Sequence, residues 1–248
     1  MRIYLAGRLM VENGTHVLDE GALPARQGRV AFAYLVLQRS RPVPRLELAA
    51  AIWGDETPET WDAGLSALLS RLRRQFRSAA VAADIETAAG VVSLELPPPT
   101  WVDLDEARSA IDVAEGALRS GDQTSAWSSA AVAVSILERG FLHGEDLPWV
   151  VKERERQRQD LLRGLECLAE IMLSQGQAHL SIEYCRRCLE IEPFRESAVG
   201  REMRAHIAMG NRAEALRAYE RLRVMLADEL GADPSPAVQA VYLEALGG

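Results

Sequence analysis

Apolar and polar residues alternate over residues 2–19, with Asn13-Gly14 near the middle of this stretch. A period of two is typical of a half-buried strand, and an Asn-Gly pair is a strong signal for a type I′ hairpin turn. From Asp84 to Leu96 the pattern is again strand-like, interrupted by Ala88-Ala89-Gly90. The sequence therefore predicts a small antiparallel sheet at the start of the chain and a hairpin over residues 85–96.

Between these strands the apolar spacing predicts three helices, at about residues 27–38, 45–53 and 59–78. The third helix has a single apolar stripe, formed by Trp61, Leu65, Leu68, Leu69, Leu72 and Phe76. Its opposite face is small, polar or basic, with Thr60, Ala63, Ala67, Ser70, Arg71 and Arg74, and Arg73 and Arg77 flank it. A sheet, three helices and a hairpin follow one another in the order of a winged helix-turn-helix.

Pro97-Pro98-Pro99 cannot join a helix interior and is stiff. We place the domain boundary there, with a first domain at 1–96, a linker at 97–102 and a second domain at 103–248. The remainder of the chain has helical periodicity throughout, so the protein as a whole is expected to be mainly α-helical. Helices are predicted at about 103–119, 123–138, 147–175, 178–191, 195–209, 212–227 and 235–246.

An internal repeat lies within this helical part. Gly176 and Gly210 are 34 residues apart, which is the tetratricopeptide period, and similar small or apolar residues follow each of them. Gly121 opens a third, weaker copy. Stacked helix pairs of this kind form extended surfaces suited to binding peptides or protein segments, so a tetratricopeptide-like, all-helical second domain is predicted.

Charge is distributed unevenly between the two halves. Residues 1–100 contain eleven arginines and eleven acidic residues, whereas residues 101–248 contain 17 basic and 25 acidic residues. An acidic surface does not follow a phosphate backbone. Any nucleic-acid interface is therefore expected in the first hundred residues. The basic residues are almost all arginine, and Lys152 is the only lysine.

Cys185 and Cys188 form a C-x-x-C pair, for which zinc binding or redox chemistry must be weighed. Both lie in a helical pattern, without a second pair and without a histidine at ligand spacing, so buried helix positions are favoured instead. There is no phosphate-binding loop, no G-x-G-x-x-G and no metal-ligand spacing. We expect no enzyme activity, no catalytic residue, no cofactor and no metal.

The chain starts Met1-Arg2-Ile3-Tyr4, which resembles neither a signal peptide nor a targeting helix. Its most apolar stretch, Val30 to Leu37, is far shorter than the roughly 20 residues that cross a bilayer. Three cysteines are too few for a disulfide framework. A cytoplasmic protein without a membrane partner is expected.

Both halves resemble one known family, in the same order. Arg45 to Asp55, followed by Leu68-Leu69-Ser70-Arg71-Leu72-Arg73-Arg74, is similar to the winged-helix domain of activators of the antibiotic regulatory protein (SARP) type. Leu147-Pro148-Trp149-Val150, the repeats, and Glu229 to Ser235 resemble the bacterial transcriptional activator domain of the same family. The resemblance covers nearly the whole chain.

The resemblance implies an OmpR-type winged helix and a transcription activator that binds promoter direct repeats as a homodimer and recruits the RNA polymerase holoenzyme. The third helix would enter the major groove, the 85–96 hairpin would be the wing, and the protein would associate with the nucleoid when bound to DNA. The DNA-binding residues expected on this basis are Thr60, Ser66, Ser70, Arg71, Arg73, Arg74 and Arg77.

A second hypothesis remains open. The first half of the third helix contains Trp61-Asp62-Ala63-Gly64, where the family usually carries arginine, asparagine and other polar residues. Alanine offers only methyl contacts to a base pair. These residues favour a protein-interaction module or scaffold whose winged helix has weakened or lost DNA binding.

Overall fold

The computed structural model describes residues 1–247, which are mainly helical. They group into two compact units. The first comprises residues 1–107 and 136–157, and the second comprises the described residues of 108–135 and from 158 onwards.

The first unit opens with a four-stranded sheet of order β3-β2-β1-β7. Its strands are β1 (Arg2–Tyr4), β2 (Met10–Asn13), β3 (His16–Asp19) and β7 (Trp101–Val102). The first three are antiparallel, as the alternating pattern predicted, with Ile3 opposite Val11 and Val11 opposite Leu18. β7 is parallel to β1 and pairs Ile3 with Val102. The sequence did not predict this fourth strand.

The turn between β2 and β3 is displaced by one residue from the prediction. Its central residues are Gly14 and Thr15, because Asn13 still pairs with His16 in the sheet. Gly14 has φ +63°, whereas Asn13 has no positive φ. A positive φ at the first central residue alone is the pattern of a type II′ turn, so the type I′ prediction was wrong. The Asn13 side chain instead donates to the Ala80 carbonyl at 3.1 Å.

Three helices and a hairpin follow in the predicted order. The helices are α1 (Ala25–Leu37), α2 (Arg45–Trp53) and α3 (Trp61–Ser78). The hairpin strands β5 (Asp84–Ala88) and β6 (Val91–Glu95) form a second sheet with the short strand β4 (Val43–Pro44), in the order β4-β6-β5. Helix α3 begins two residues later than predicted, and short 3-10 helices occupy Glu20–Ala22 and Gly54–Glu56.

The apolar stripe of α3 forms part of the core of the first unit. The buried members of the stripe are Leu65, Leu68, Leu69, Leu72 and Phe76, whereas Trp61 remains half-buried. Phe76 meets Phe32 of α1 edge to face, with ring centroids 5.7 Å apart. Burial of a large aromatic or leucine side chain contributes about 1.5–3 kcal/mol, so this stripe fixes which face of α3 points inward.

Residues 136–157 belong to the first unit because Trp149 is anchored there. Its indole Nε1 donates to the Ala51 carbonyl of α2 at 2.8 Å. Its ring meets Tyr34 and Phe141 edge to face, at centroid distances of 5.0 and 5.9 Å. The compact units therefore do not coincide with the predicted linker at 97–102, and separation into independently folding domains at that linker stays a prediction.

The described residues after Val102 form helices close to the predicted bounds. They are α4 (Asp103–Ser120), α5 (Gln123–Leu137), α6 (Pro148–Ser174), α7 (Ala178–Ile191), α8 (Glu196–Ala208), α9 (Arg212–Leu230) and α10 (Pro236–Gly247). The agreement reflects local signals, since glycine or proline lies at nearly every helix end.

The three repeat glycines end helices in the same way. The N–H groups of Gly121, Gly176 and Gly210 each donate to the carbonyl three residues earlier, and the N–H of the following residue donates to the carbonyl five residues before it. All three glycines have φ between +74° and +80°. This is the Schellman motif, which requires a left-handed residue at the helix end. The sequence repeat is therefore a structural repeat.

Helix packing in the second unit buries small and apolar side chains. One core cluster contains Cys188 together with Ala130, Leu165 and Ala198. Cys185 is also buried, as the sequence analysis expected for this pair. Burial raises the pKa of each of these two thiols to about 12.

None of the helices within residues 1–247 combines the length and the apolar character that crossing a membrane requires.

Candidate nucleic-acid interface

Helix α3 exposes the face that lies opposite its apolar stripe. Ala63, Ala67, Ser70, Arg71 and Arg74 are all exposed. Thr60 is exposed as well and directly precedes the helix, and its side chain makes no capping hydrogen bond. The predicted polar and basic face is therefore confirmed as a solvent-facing surface.

Three of the four predicted phosphate ligands have free guanidinium groups. Arg71, Arg74 and Arg77 are exposed, and none of their guanidinium groups forms a hydrogen bond or an ion pair within residues 1–247. They occupy the C-terminal half of α3. An arginine in this condition can contact a phosphate without first breaking an internal interaction.

Arg73 has a different role from its neighbours. Its Nε donates to the Ile85 carbonyl at 2.6 Å, and an Nη donates to Thr87 Oγ1 at 2.8 Å. Arg73 therefore fastens α3 to strand β5 of the hairpin. The sequence pattern does not distinguish these four arginines. In the described part of the structure Arg71, Arg74 and Arg77 have free side chains, whereas Arg73 positions the hairpin.

An arginine of α2 pairs with the acidic side chain in the first turn of α3. Arg45 Nε donates to Asp62 Oδ1 at 2.9 Å, and an Nη of Arg45 donates to Ser66 Oγ at 2.9 Å. Arg45 is half-buried, and it is the partner that balances the Asp62 charge. Sequence reasoning missed Arg45, because no short-range pattern joins residues 17 positions apart across a helix-helix contact.

The two serines on this face have already used part of their hydrogen-bonding capacity. Ser66 Oγ donates to the Asp62 carbonyl and Ser70 Oγ donates to the Ser66 carbonyl, each at 2.9 Å. A hydroxyl has one donor and two acceptor positions, so both serines can still accept a hydrogen bond. In this arrangement both hydroxyls are available to a ligand as acceptors.

Acidic side chains surround the start of α3. Asp55, Glu56, Glu59 and Asp62 are all exposed. They precede the helix or lie in its first turn, where the helix dipole stabilises negative charge. The face thus changes from acidic near Thr60 to basic near Arg77.

The hairpin tip carries no charge. Ala88, Ala89 and Gly90 are exposed, and the turn places Ala89 and Gly90 at φ +49° and +77°. At the other end of the hairpin, where Asp84 pairs with Glu95, these two residues share a cleft of about 540 Å³ with Arg73 and Arg77. The hairpin tip therefore presents backbone and methyl groups, and the basic surface comes from α3.

No group of three or more histidine, cysteine or carboxylate side chains in the described part of the chain is arranged to hold a metal ion.

Residues 102–246 match the family described as the bacterial transcriptional activator domain. The chain belongs to this family, which confirms the resemblance drawn from its motifs.

Curated relatives are transcriptional regulators. The regulatory protein AfsR of Streptomyces coelicolor is 29% identical over 213 residues, covering 86% of this chain and 21% of AfsR. The transcriptional regulatory proteins MoaR1 and EmbR of Mycobacterium tuberculosis are each 27% identical, over 86% of this chain and over 70% and 55% of their own lengths. The chain thus spans about a fifth of AfsR and about half of EmbR.

Among solved structures, Mycobacterium tuberculosis EmbR, in complex with a low affinity phosphopeptide, has the same fold. The TM-score is 0.85 with 24% sequence identity, over 99% of this chain and 65% of the EmbR chain.

Proposed function

We propose that this chain is a transcription activator that binds promoter DNA through helix α3, without enzyme activity. In this proposal residues 1–96 form a winged helix-turn-helix, α3 enters the major groove, and the β5–β6 hairpin is the wing. The order of sheet, three helices and hairpin supports this assignment, as does membership of the bacterial transcriptional activator domain family.

The observation that carries the proposal is the free state of Arg71, Arg74 and Arg77. Most arginines elsewhere in the chain form ion pairs, as Arg163 does with Asp112 and Glu115. A row of exposed, unpaired guanidinium groups on one helix is the electrostatic footprint of phosphate binding. Thr60, Ser66 and Ser70 on the same face are the proposed contacts to base edges.

The helical part is proposed to contact protein rather than DNA. Its residues carry the entire net negative charge of the chain, and an acidic surface is repelled by phosphates. We propose that it contacts the RNA polymerase holoenzyme, and that two chains bind adjacent direct repeats side by side.

The central test is a gel shift on the region upstream of the protein's own gene. The triple variant Arg71→Ala, Arg74→Ala, Arg77→Ala is compared with Arg119→Ala, Arg204→Ala, Arg223→Ala, which removes the same charge from exposed positions in the second unit. We expect the first variant to lose at least about a hundredfold in affinity and the second to bind as the wild type does. Equal affinities of the two variants would contradict the proposal.

The direct-repeat arrangement has a separate test. DNA with one half-site is compared with DNA carrying two half-sites in tandem and two half-sites inverted. Tandem binding by a side-by-side dimer predicts a cooperative second shift on the tandem probe alone. Preference for the inverted probe would indicate a two-fold symmetric dimer instead.

The acidic start of α3 favours a second candidate function, a protein-interaction module that has lost DNA binding. Four carboxylates would lie close to the phosphates that border the major groove: Asp55, Glu56, Glu59 and Asp62. Of these, Asp62 is already paired with Arg45. This candidate predicts no specific shift at any salt concentration in the gel-shift experiment.

A further inference from the structure

A groove with a buried carboxylate lies between α7 and α9, with α8 beneath it. Its volume is about 470 Å³, and Glu202 and His206 of α8 line it. Both are buried, with Glu202 only 3% exposed and His206 7% exposed. We refer to this feature as the Glu202 groove. It belongs to the second unit and takes no part in the proposed DNA contact.

Glu202 is poorly paired for a buried charge. An Nη of Arg221 lies 3.5 Å from Glu202 Oε1, His206 Nε2 lies at 3.8 Å and Arg186 Nε at 3.9 Å. An ionised carboxylate can accept about four hydrogen bonds, and close charged contacts have N···O distances of about 2.7–2.9 Å. The carboxylate therefore has acceptor capacity that the protein leaves largely unused.

Arg186 and Arg221 lie at the rim of the groove and, within residues 1–247, are held only by long contacts with Glu202. Arg186 and Arg221 are 63% and 61% exposed. At 3.9 and 3.5 Å from Glu202 Oε1, neither guanidinium makes a close charged contact with the carboxylate. His206 Nδ1 is also buried without a hydrogen-bond partner among the described residues, so the polar lining as a whole is incomplete.

Carboxylates and cationic groups both line the groove, and the buried Glu202 is a carboxylate without a close partner among the residues that the structure describes. Glu190 and Glu214 line it in addition to Glu202, so three carboxylates face two arginines and one histidine. Glu214 is also paired with Arg217. A partner cation that reached Glu202 would replace a pairing of 3.5 Å or more with a direct, desolvated contact, which is the stronger interaction.

An apolar cavity continues from the same carboxylate. It has a volume of about 220 Å³ and shares Leu189, Glu202 and Arg221 with the groove. Its other lining residues are Pro193, Val199, Ala218, Leu222 and Met225. A carboxylate beside a small apolar cavity favours a ligand in which a basic side chain is next to an apolar side chain.

We propose that the Glu202 groove binds a protein segment in which an arginine or lysine is adjacent to a leucine- or methionine-sized side chain. The basic side chain pairs with Glu202 and displaces Arg221, and the apolar neighbour fills the cavity near Met225. The chain thus has a peptide-docking site distinct from its DNA-facing helix.

The test uses positional-scanning libraries of fluorescent hexapeptides, in which one residue type is fixed and the others are random. Binding to the full chain is measured by fluorescence anisotropy. We expect sublibraries with fixed arginine or lysine to bind best, with a further preference for leucine or methionine at the next position. Preference for aspartate or glutamate would overturn the proposal, because the arginines would then be the anchors.

Two variants with opposite expected effects assign the binding to this groove. Glu202→Gln removes the anchor and should weaken binding of the selected basic peptide about tenfold or more, whereas Glu220→Gln, an exposed residue elsewhere on α9, should not. Arg221→Ala removes the competing cation from an exposed position and should strengthen binding several-fold, which keeps the test decisive if Glu202→Gln fails to fold. Weaker binding by Arg221→Ala, or no basic preference in any sublibrary, would overturn the proposal.

Discussion

The carboxylate of Asp103 accepts a hydrogen bond of 2.9 Å from the backbone N–H of Leu5, which lies 98 residues earlier. It also accepts from the N–H of Ala6 at 3.0 Å and of Leu104 at 2.8 Å, and its side chain is fully buried. Each buried N–H that loses its acceptor costs about 1–3 kcal/mol. We expect Asp103→Ala to lower the free energy of unfolding in urea by at least about 2 kcal/mol.

The exposed carboxylate of Asp112 provides the control for this change. Asp112→Ala should alter the free energy of unfolding by less than about 0.5 kcal/mol, since Arg163 retains Glu115 as a partner. Equal effects of the two substitutions would mean that the buried hydrogen bonds contribute nothing to stability.

Asp103 also predicts a pH dependence. Burial raises the pKa of the Asp103 carboxyl, and the hydrogen bonds from the three N–H groups offset this only in part. A raised folded-state pKa means that the contribution to stability is complete below about pH 3.9, the ordinary value, and is lost as pH rises through the raised pKa. In urea melts of wild type and Asp103→Asn, the stability advantage of the wild type should therefore shrink from about pH 4 to neutrality. An advantage that grows with pH would contradict the raised pKa.

Salt dependence distinguishes the free arginines from the engaged one. Release of about 0.9 counterions per phosphate contact gives a slope of log affinity against log salt near −2.7 for three contacts, whereas four equivalent arginines would give about −3.6. Alanine at Arg71, Arg74 or Arg77 should each reduce the steepness by about 0.9, and Arg73→Ala should leave it unchanged. A reduced slope for Arg73→Ala would show that Arg73 exchanges strand β5 for a phosphate on binding.

Removal of the Asp62 carboxylate should strengthen DNA binding. Asp62→Ala removes a negative charge from the exposed face and leaves the Arg45 guanidinium without its balancing carboxylate, so its positive charge becomes available to a phosphate while its hydrogen bonds to the Asp62 carbonyl and Ser66 Oγ remain. We expect higher affinity and a salt slope steeper by about 0.9 in gel shifts. Asp112→Ala makes the same change of charge in the second unit and should alter neither quantity. A weaker complex for Asp62→Ala would indicate that the Arg45–Asp62 pair positions α3.

The cysteines should resist alkylation in the folded protein. Cys185 and Cys188 are buried with pKa values of about 12, and the thiolate is the reactive species. Iodoacetamide at about pH 8, near the ordinary pKa of a thiol, should modify neither residue within the time that fully modifies them in denaturant, as read by mass spectrometry. Rapid labelling of either thiol would show that the α7 packing opens readily. Metal analysis of the same sample should find less than stoichiometric zinc.

The helices could be predicted from the sequence because their signals are local. The stripe of α3 from Leu65 to Phe76 and the glycine ends of the repeats depend on spacings of three to five residues, and the structure places them as predicted. The turn at Gly14 was misplaced by one residue, because the register of the sheet pairs Asn13 with His16 and the Asn-Gly signal alone does not encode that register.

The candidate site was less predictable than the fold. Whether each of its side chains is free or bound depends on contacts between different helices and strands. The arginines at 71, 73, 74 and 77 look equivalent along the helix, and only the position of β5 separates Arg73 from the others. The pairing of Arg45 with Asp62, and of Trp149 with Ala51, joins residues whose proximity no helical or strand period encodes.

The basic face of α3 is composed only of guanidinium groups, and the single lysine of the chain, Lys152, lies in α6. Guanidinium groups keep their proton throughout the physiological range, and lysine acetyltransferases do not modify them. The charge of this face is therefore constant with respect to cellular pH and acetyl-donor supply. Under the proposed function, the affinity of this face for DNA would be controlled through the acidic residues beside it, through arginine-directed modification, or through the proposed protein contacts of the helical part.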